Sequence, residues 1–223
     1  MSGRVNIGLI PTIAPYLLHH IVQPIKRTYP QLEIILHEVQ TEVMLKQLGE
    51  GTLDAGILAV PLETRGIEQI ILYNEPFYVA VNNEHEFAKK SKIIKEDLRE
   101  ETLLLLGEGH CLRGQVLEVC SYAMTKERKD FQDTSLETIR HMVSTGIGIT
   151  LIPQTAIFSK ILNQNSPIKY IPFSKPAPAR SVGLLFRKNS NRKTCFQNLS
   201  DLIQKIIQKK FQIKESIEII PVK

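Results

Sequence analysis

An alternation of apolar runs in the first 60 residues constrains the fold of this 223-residue chain more than any other feature of its sequence. Three short runs rich in β-branched residues predict strands, and two stretches between them carry apolar residues at helical spacing. The predicted elements are, in chain order, a strand at Val5–Pro11, a helix at Pro15–Tyr29, a strand at Leu32–His37, a helix from Thr41 to Gly49 or Gly51, and a strand at Leu53–Val60. Strands that alternate with helices form a parallel sheet with helices on both faces. We therefore expect an α/β protein.

The remainder of the sequence predicts a second unit of the same kind. Its strands and helices are predicted at Ile70–Tyr73, Phe77–Val81, Thr102–Leu106, Thr134–Thr145, Gly148–Ile152, Ile168–Pro172 and Ser181–Phe186, followed by a final helix that opens with a capping box at Thr194–Gln197. The chain leaves the first unit near Asn74 and returns near Arg180, which predicts two crossover strands and a cleft. We assign residues 1–75 and 183–211 to one subdomain, residues 76–182 to the other, and residues 212–223 to a tail with a partly alternating pattern.

The composition argues against a membrane protein and gives no strong nucleic-acid signal. The chain is 43% hydrophobic and 23% charged, and no apolar run approaches the length of a membrane-spanning helix. Its formal net charge of +5 is concentrated between Arg187 and Lys214. Because no aromatic residues are interleaved there, a solvated helix face is favoured over a nucleic-acid surface. The N-terminus lacks the layout of a signal peptide, so we expect a cytoplasmic protein without membrane contact.

The segment Gly107–Cys120 carries the most chemical information. It contains two of the three cysteines, Cys111 and Cys120, and it follows the apolar run Thr102–Leu106. Apolar residues then recur at helical spacing, so Cys111 is expected where a loop becomes a helix. A helix N-terminus and the neighbouring His110 and Arg113 would all lower the pKa of the Cys111 thiol. We predict that Cys111 is the reactive thiol.

The spacing of the two cysteines has a mechanical consequence. If Cys111 and Cys120 lie in one helix, the helical rise separates them by about 13 Å. A disulfide requires Cα atoms within roughly 7 Å, so the bond cannot form unless the segment unwinds or moves. Two inert buried cysteines remain an open alternative. A zinc site with His110 is disfavoured because the usual ligand spacings are absent, a static disulfide is disfavoured in the cytosol, and no cofactor is expected.

Two threonines are further candidates for the site. In folds of this class, ligands bind beyond the carboxyl ends of the strands. Thr12, Thr41 and the pair His110–Cys111 all follow predicted strands, so we expect them to converge on the cleft. Helix capping would explain both threonines equally well.

Several motifs resemble those of a known family. Ile10-Pro-Thr12, Gly49-x-Gly-x-Leu-Asp54, Thr134–Arg140 and Gly146–Pro153 resemble the effector domain of LysR-type transcriptional regulators. The sequence Gly109-His-Cys-Leu-Arg113, followed by Cys120, resembles the hydrogen-peroxide-sensing branch of that family. The resemblance covers roughly residues 4–211. It implies two Rossmann-like subdomains joined by two crossover strands, of periplasmic-binding-protein type II.

The resemblance also implies roles for individual residues. Cys111 would be the peroxidatic cysteine and Cys120 the resolving one. The residues that would contact peroxide or support the thiolate are Thr12, Thr41, His110, Arg113 and Arg180. The family often has an acidic residue where this chain has Gly114. Since glycine weakens a helix, Gly114 is expected to ease unwinding.

By the same resemblance the chain is the sensor part of a transcription activator and not an enzyme. The implied partners are hydrogen peroxide, DNA through an N-terminal winged helix-turn-helix outside this chain, RNA polymerase and a cellular thiol reductant. The implied assembly is a dimer of regulatory domains and a tetramer of the full-length protein. Apolar residues on the helices at 14–29 and 135–145 predict that these helices form the two-fold interface. Two other functions remain open: a module that binds a small metabolite, with incidental cysteines, and a thiol peroxidase.

Overall fold

The computed structural model describes residues 1–120, 126–128, 135–157, 167–211 and 217–220. Within these ranges the chain forms two compact units. The first unit consists of Met1–Asn74 and Ser181–Ile213, and the second consists of Glu75–Arg180 and Lys214–Pro221.

The elements alternate as the sequence predicts. They are, in chain order, β1 (Gly3–Leu9), α1 (Ala14–Thr28), β2 (Leu32–Glu38), α2 (Thr41–Glu50), β3 (Ala55–Val60), β4 (Ile67–Asn82), β5 (Thr102–Leu104), α3 (Cys111–Cys120), β6 (Lys126–Arg128), α4 (Leu136–Ser144), β7 (Thr150–Pro153), α5 (Gln154–Ile157), β8 (Ile168–Pro172), β9 (Ala177–Arg187), α6 (Lys193–Phe211) and β10 (Ile217–Ile219). Short 3-10 helices lie at Glu86–Lys89 and Lys95–Leu98. No described helix is long and apolar enough to cross a membrane.

The first unit is built on a sheet in the order β2, β1, β3, β9. β1 is parallel to β2 and to β3, whereas β9 is antiparallel to β3. All six residues of β3 are buried, as expected for a central strand that is covered on both faces. Gly56 in β3 leaves no side chain against α2, so Met44 packs directly on the strand. α1 packs against α6.

In the second unit, β4 is antiparallel to both β7 and β8. β5 and β6 form a separate parallel pair. β10, from the C-terminal segment, pairs in parallel with β9 in the register Ile217↔Ala177 to Ile219↔Ala179. The second unit therefore contains a C-terminal strand where the sequence indicates only a tail.

Two strand predictions were wrong in extent. The two strands predicted around Glu75 and Pro76 are one continuous strand, β4. The ladder between β4 and β7 begins only at Phe77, so the missing N–H of Pro76 removes no hydrogen bond from that ladder. The strand predicted at Ser181–Phe186 is also longer than expected. It is β9, which begins at Ala177 and includes Pro178.

Helix starts differ from the prediction by one or two residues. The N-cap of α2 is Gln40 and not Thr41. The N-cap of α4 is Ser135, whose side chain accepts from the Thr138 N–H. Thr134, with which the predicted helix starts, lies outside the described residues. α6 begins at Lys193, before the predicted cap Thr194. The predicted end of α2 is confirmed at Gly51, which has φ of 83° in the left-handed region.

Candidate functional site

Cys111 is the first residue of α3, as predicted from the sequence. Gly109 has φ of 85°, so a residue that tolerates the left-handed region turns the chain just before the helix. The backbone N–H of Arg113 donates to the His110 carbonyl at 2.9 Å, which closes the first turn. The Cys111 side chain is half-buried. This position places the sulfur at the positive end of a ten-residue helix.

Arg113 ties the start of α3 to the chain that precedes it. Its Nη1 donates to the Leu106 carbonyl at 3.3 Å. Leu106 itself is buried and follows β5. The Arg113 side chain is half-buried. This contact links the first turn of α3 to the segment that follows β5.

The other two cysteines lie in surroundings that favour the neutral thiol. Cys120 ends α3 and is 1% exposed, and burial raises its pKa from 9.0 to about 12. Cys195 lies in the first turn of α6, and desolvation raises its pKa as well, against smaller opposing effects that include Arg192. All three cysteines lie in the described part of the chain, and no disulfide joins any two of them. Neither Cys120 nor Cys195 is a thiolate at neutral pH in this conformation.

α3 holds the two cysteines of the segment apart. They are its first and last residues, so the helical rise places their Cα atoms about 13 Å apart. The inward face of α3 also carries Leu112, Val116 and Val119, each no more than 2% exposed. A Cys111–Cys120 bond therefore requires the loss of helical structure and of this packing.

Arg180 belongs to a buried polar cluster that the sequence did not reveal. Arg180 and Glu75 are both 0% exposed, and the Arg180 Nε donates to the Glu75 Oε1 at 2.8 Å. The Glu75 Oε2 accepts from the Thr155 N–H at 3.0 Å and from its hydroxyl at 2.6 Å. These bonds fix the guanidinium in one orientation within the second unit. In the sequence, Glu75 stands between Asn74 and Pro76, a pattern typical of an exposed turn. The sequence therefore did not indicate that Glu75 is buried.

The two candidate threonines lie in the first unit. Thr12 follows β1 and is 2% exposed, and Thr41 is the first residue of α2. The N-caps of the two helices are Ile13 and Gln40, and neither makes a side-chain capping hydrogen bond. Helix capping therefore does not account for either threonine. His110, Cys111, Arg113 and Arg180 all belong to the second unit, where the first three share the start of α3.

Comparisons with known proteins point in one direction. The family described as the LysR substrate binding domain matches residues 1–207. A hydrogen peroxide-inducible genes activator from Pectobacterium carotovorum subsp. carotovorum is 40% identical over 208 residues, which is 93% of this chain and 68% of that protein. The DNA-binding transcriptional dual regulator OxyR of Escherichia coli K12 is 41% identical over 204 residues, which is 92% of this chain and 66% of that protein. The chain thus spans about two thirds of the length of these relatives.

Solved structures agree with the sequence comparisons. The oxidized form of OxyR superposes with a TM-score of 0.83 at 40% identity, covering 95% of this chain and 99% of that one. The reduced form of OxyR also gives 0.83, at 39% identity over 94% and 98% of the two chains. A full-length OxyR variant from Pseudomonas aeruginosa gives 0.82 at 36% identity, covering 90% of this chain and 65% of that one.

Proposed function

This chain belongs to the LysR substrate-binding domain family, in its OxyR branch, and we propose that it is the hydrogen-peroxide sensor of a transcription regulator. The family fold is the predicted one: α/β, with two Rossmann-like subdomains joined by two crossover strands, of periplasmic-binding-protein type II. LysR-type proteins are transcription regulators. The observation that carries the proposal is that one helix, α3, begins at Cys111 and ends at Cys120.

The proposed chemistry begins at Cys111. Its thiolate sulfur attacks one oxygen of hydrogen peroxide, the O–O bond breaks, and the other oxygen leaves as hydroxide and takes up a proton to become water. Cys111 is then a sulfenic acid. The Cys120 sulfur attacks the Cys111 sulfur, an S–S bond forms, and the S–OH oxygen leaves as water. A cellular thiol reductant later returns both residues to thiols.

We assign the surrounding polar residues to this first step. Thr12 and Thr41 would orient the two peroxide oxygens through their hydroxyl groups. His110, Arg113 and Arg180 would stabilise the thiolate and the charge that develops on the leaving oxygen. Two observations support these roles: neither threonine is a helix N-cap, and Arg180 donates to the buried Glu75 carboxylate, which Thr155 also holds.

Burial of Cys120 separates the two chemical steps. A thiol whose pKa is about 12 is a poor nucleophile at neutral pH, so Cys120 does not compete for peroxide while α3 is intact. Once the helix opens, the Cys120 sulfur meets water and its pKa falls toward the ordinary value. The same change brings the two sulfurs within bonding distance. Helix opening would therefore both activate and deliver the resolving thiol.

The first unit offers a surface for self-association. α1, β2 and α6 line an apolar groove of about 470 Å³. At its edge, Val22 is 40% exposed and Leu36 is 38% exposed. A second copy of the domain would bury these residues, and α4 carries Met142, half-buried, as a complementary apolar side chain. We assign a homodimer to the domain and a homotetramer to the full-length protein.

The remaining proposed partners belong to the full-length protein. An N-terminal winged helix-turn-helix would bind DNA, and the refolded sensor would change the oligomer geometry and promote contact with RNA polymerase at antioxidant genes. The protein would act in the cytoplasm. It would react once with peroxide and then wait for reduction, which distinguishes it from a thiol peroxidase.

The test is thiol mass spectrometry on the purified chain after one equivalent of peroxide. We expect loss of two free thiols, at Cys111 and Cys120, with Cys195 unchanged. Cys120→Ser should stop the reaction at a sulfenic acid on Cys111, and Cys195→Ser should behave as the unmodified chain does. Equal oxidation of all three thiols, or continuous peroxide turnover with a dithiol reductant, would contradict the proposal.

A further inference from the structure

The C-terminal strand β10 is tied to the helix that must unwind. Its pairing with β9 is continued by Ile220, whose N–H donates to the Ala179 carbonyl at 2.7 Å. Ile220 is 3% exposed, whereas its neighbour Ile219 is 37% exposed. The residue after β10 is therefore an anchor, with its side chain in the core of the second unit.

The same residue contacts α3. The Ile220 carbonyl accepts a hydrogen bond from the Gln115 Nε2 at 3.4 Å. Gln115 lies one turn beyond Cys111 and is 0% exposed. Within the described residues, this amide group makes no hydrogen bond through its Oε1. The link to Ile220 is thus the polar contact that fixes the Gln115 side chain in the interior.

A second contact holds the same C-terminal segment. The Lys95 Nζ lies 2.6 Å from the Glu218 Oε2, and the Lys95 side chain is only 20% exposed. Lys95 begins the 3-10 helix Lys95–Leu98, which packs against α3. β10 is therefore connected to α3 directly through Gln115 and indirectly through this 3-10 helix.

We propose that the C-terminal segment Ile217–Ile220 is a strap that holds α3 in its helical, reduced conformation and so limits the rate of disulfide formation. Unwinding α3 removes Gln115 from its place in the helix, which breaks its bond to Ile220 and leaves a buried carbonyl without that donor. Opening of the helix and release of the strap are thereby coupled. Gln115 and Ile220 are positioning residues, since they act on Cys111 and Cys120 only through α3. The inference rests on the proposed peroxide chemistry for its effect on signalling.

The strap predicts that the two chemical steps respond differently to its removal. Attack of Cys111 on peroxide occurs with α3 intact, so its rate should not depend on the strap. Condensation of the Cys111 sulfenic acid with the Cys120 thiol, with loss of water, requires the open helix. Loss of the buried Ile220 side chain, which positions the carbonyl for its hydrogen bond from Gln115, should weaken that bond and accelerate this step about tenfold.

The experiment compares Ile220→Ala, Ile219→Ala and a chain that ends at Phe211. Ile219→Ala is the matched control, because it shortens an exposed side chain of the same strand and leaves the anchor. After peroxide addition, free-thiol mass spectrometry gives the rate of disulfide formation. The same substitutions in a Cys120→Ser background give the rate of sulfenic acid formation. We expect about tenfold faster condensation for Ile220→Ala and for the shortened chain, and less than a twofold change for Ile219→Ala.

Hydrogen exchange of α3 in the fully reduced chain tests the strap without any peroxide. Ile220→Ala should raise exchange of the α3 amides about tenfold even if Cys111 proves unreactive, so failure of the proposed function and failure of the strap are separable. If the shortened chain does not fold, the result for Ile220→Ala alone tests the strap proposal. Unchanged exchange and condensation in Ile220→Ala would overturn the proposal. Equal acceleration of both chemical steps would also overturn it, because the segment would then act on the surroundings of Cys111.

Discussion

Replacing Gly114 with alanine should make the proposed disulfide less stable. Gly114 is the fourth residue of α3, between Cys111 and Cys120. A Cβ atom built at this position meets no atom within 4 Å, so alanine fits without any rearrangement. Alanine stabilises the interior of a helix by about 1 kcal/mol relative to glycine. That gain exists only while α3 is helical.

The magnitude follows from the difference between the two redox states. Stabilising the reduced, helical state by about 1 kcal/mol lowers the equilibrium constant for disulfide formation about fivefold. For a two-electron couple, about 30 mV corresponds to 1.4 kcal/mol, so the reduction potential should rise by roughly 20 mV. The sign is positive because a more stable reduced form makes the disulfide a stronger oxidant.

The assay is a titration against mixtures of reduced and oxidised glutathione, with free thiols counted by mass spectrometry. Gly49→Ala is the matched control. Gly49 lies in α2 of the first unit and, as at Gly114, a Cβ atom added there meets nothing within 4 Å. Both substitutions should stabilise a helix by a similar amount. Only Gly114→Ala should shift the reduction potential.

The reasoning would be refuted by a specific combination of results. If Gly114→Ala slows hydrogen exchange in α3 but leaves the potential unchanged, the helix is still present in the oxidised state. If Gly49→Ala shifts the potential as much as Gly114→Ala does, the effect reflects overall stability and not the unwinding of α3.

Three further predictions concern the surrounding structure. Glu75→Ala should lower the free energy of unfolding in urea by about 3–5 kcal/mol, since it removes the buried carboxylate that pairs with the Arg180 guanidinium. Glu33→Ala, which breaks the exposed Arg4–Glu33 pair, should cost under about 1 kcal/mol. Burial lowers the pKa of His20 from 6.5 to about 4, with smaller contributions from His19 and Lys210. Between these two pH values the unfolded chain therefore binds more protons than the folded chain does. The stability contribution of neutral His20 is therefore complete above pH 6.5 and is lost as the pH falls toward 4. His20→Leu should reduce the pH dependence of the free energy of unfolding, measured in urea, over that range. An unchanged dependence on pH would contradict this assignment. Val22→Glu should dissociate the proposed dimer in sedimentation experiments, whereas Val43→Glu, at a site on α2 that is 45% exposed, should not.

The first unit and the start of α3 were predictable because their signals are local. Each strand or helix buries one face, and this burial determines how apolar residues are spaced over about 10 positions of the sequence. The position of Cys111 followed in the same way, from a buried run, a glycine-containing turn and renewed helical spacing. Helix starts were displaced by one residue at α2 and α4 and by two residues at α6.

The polar cluster and the strap could not be predicted because their partners are distant in sequence. Glu75 is buried only because Arg180, 105 positions later, neutralises it. Gln115 is likewise matched by Ile220, again 105 positions away, and β10 has only three residues. A short strand with partial alternation resembles an exposed tail until its pairing partner is known.

The most direct test of the proposed switch is hydrogen exchange across residues 107–120 in the reduced and the peroxide-oxidised chain, with Cys120→Ser as the control. We predict that the α3 amides are protected in the reduced chain and lose that protection on oxidation, and that Cys120→Ser retains it after the same treatment. Retained protection of α3 in a chain shown by mass spectrometry to carry the Cys111–Cys120 disulfide would contradict the mechanism.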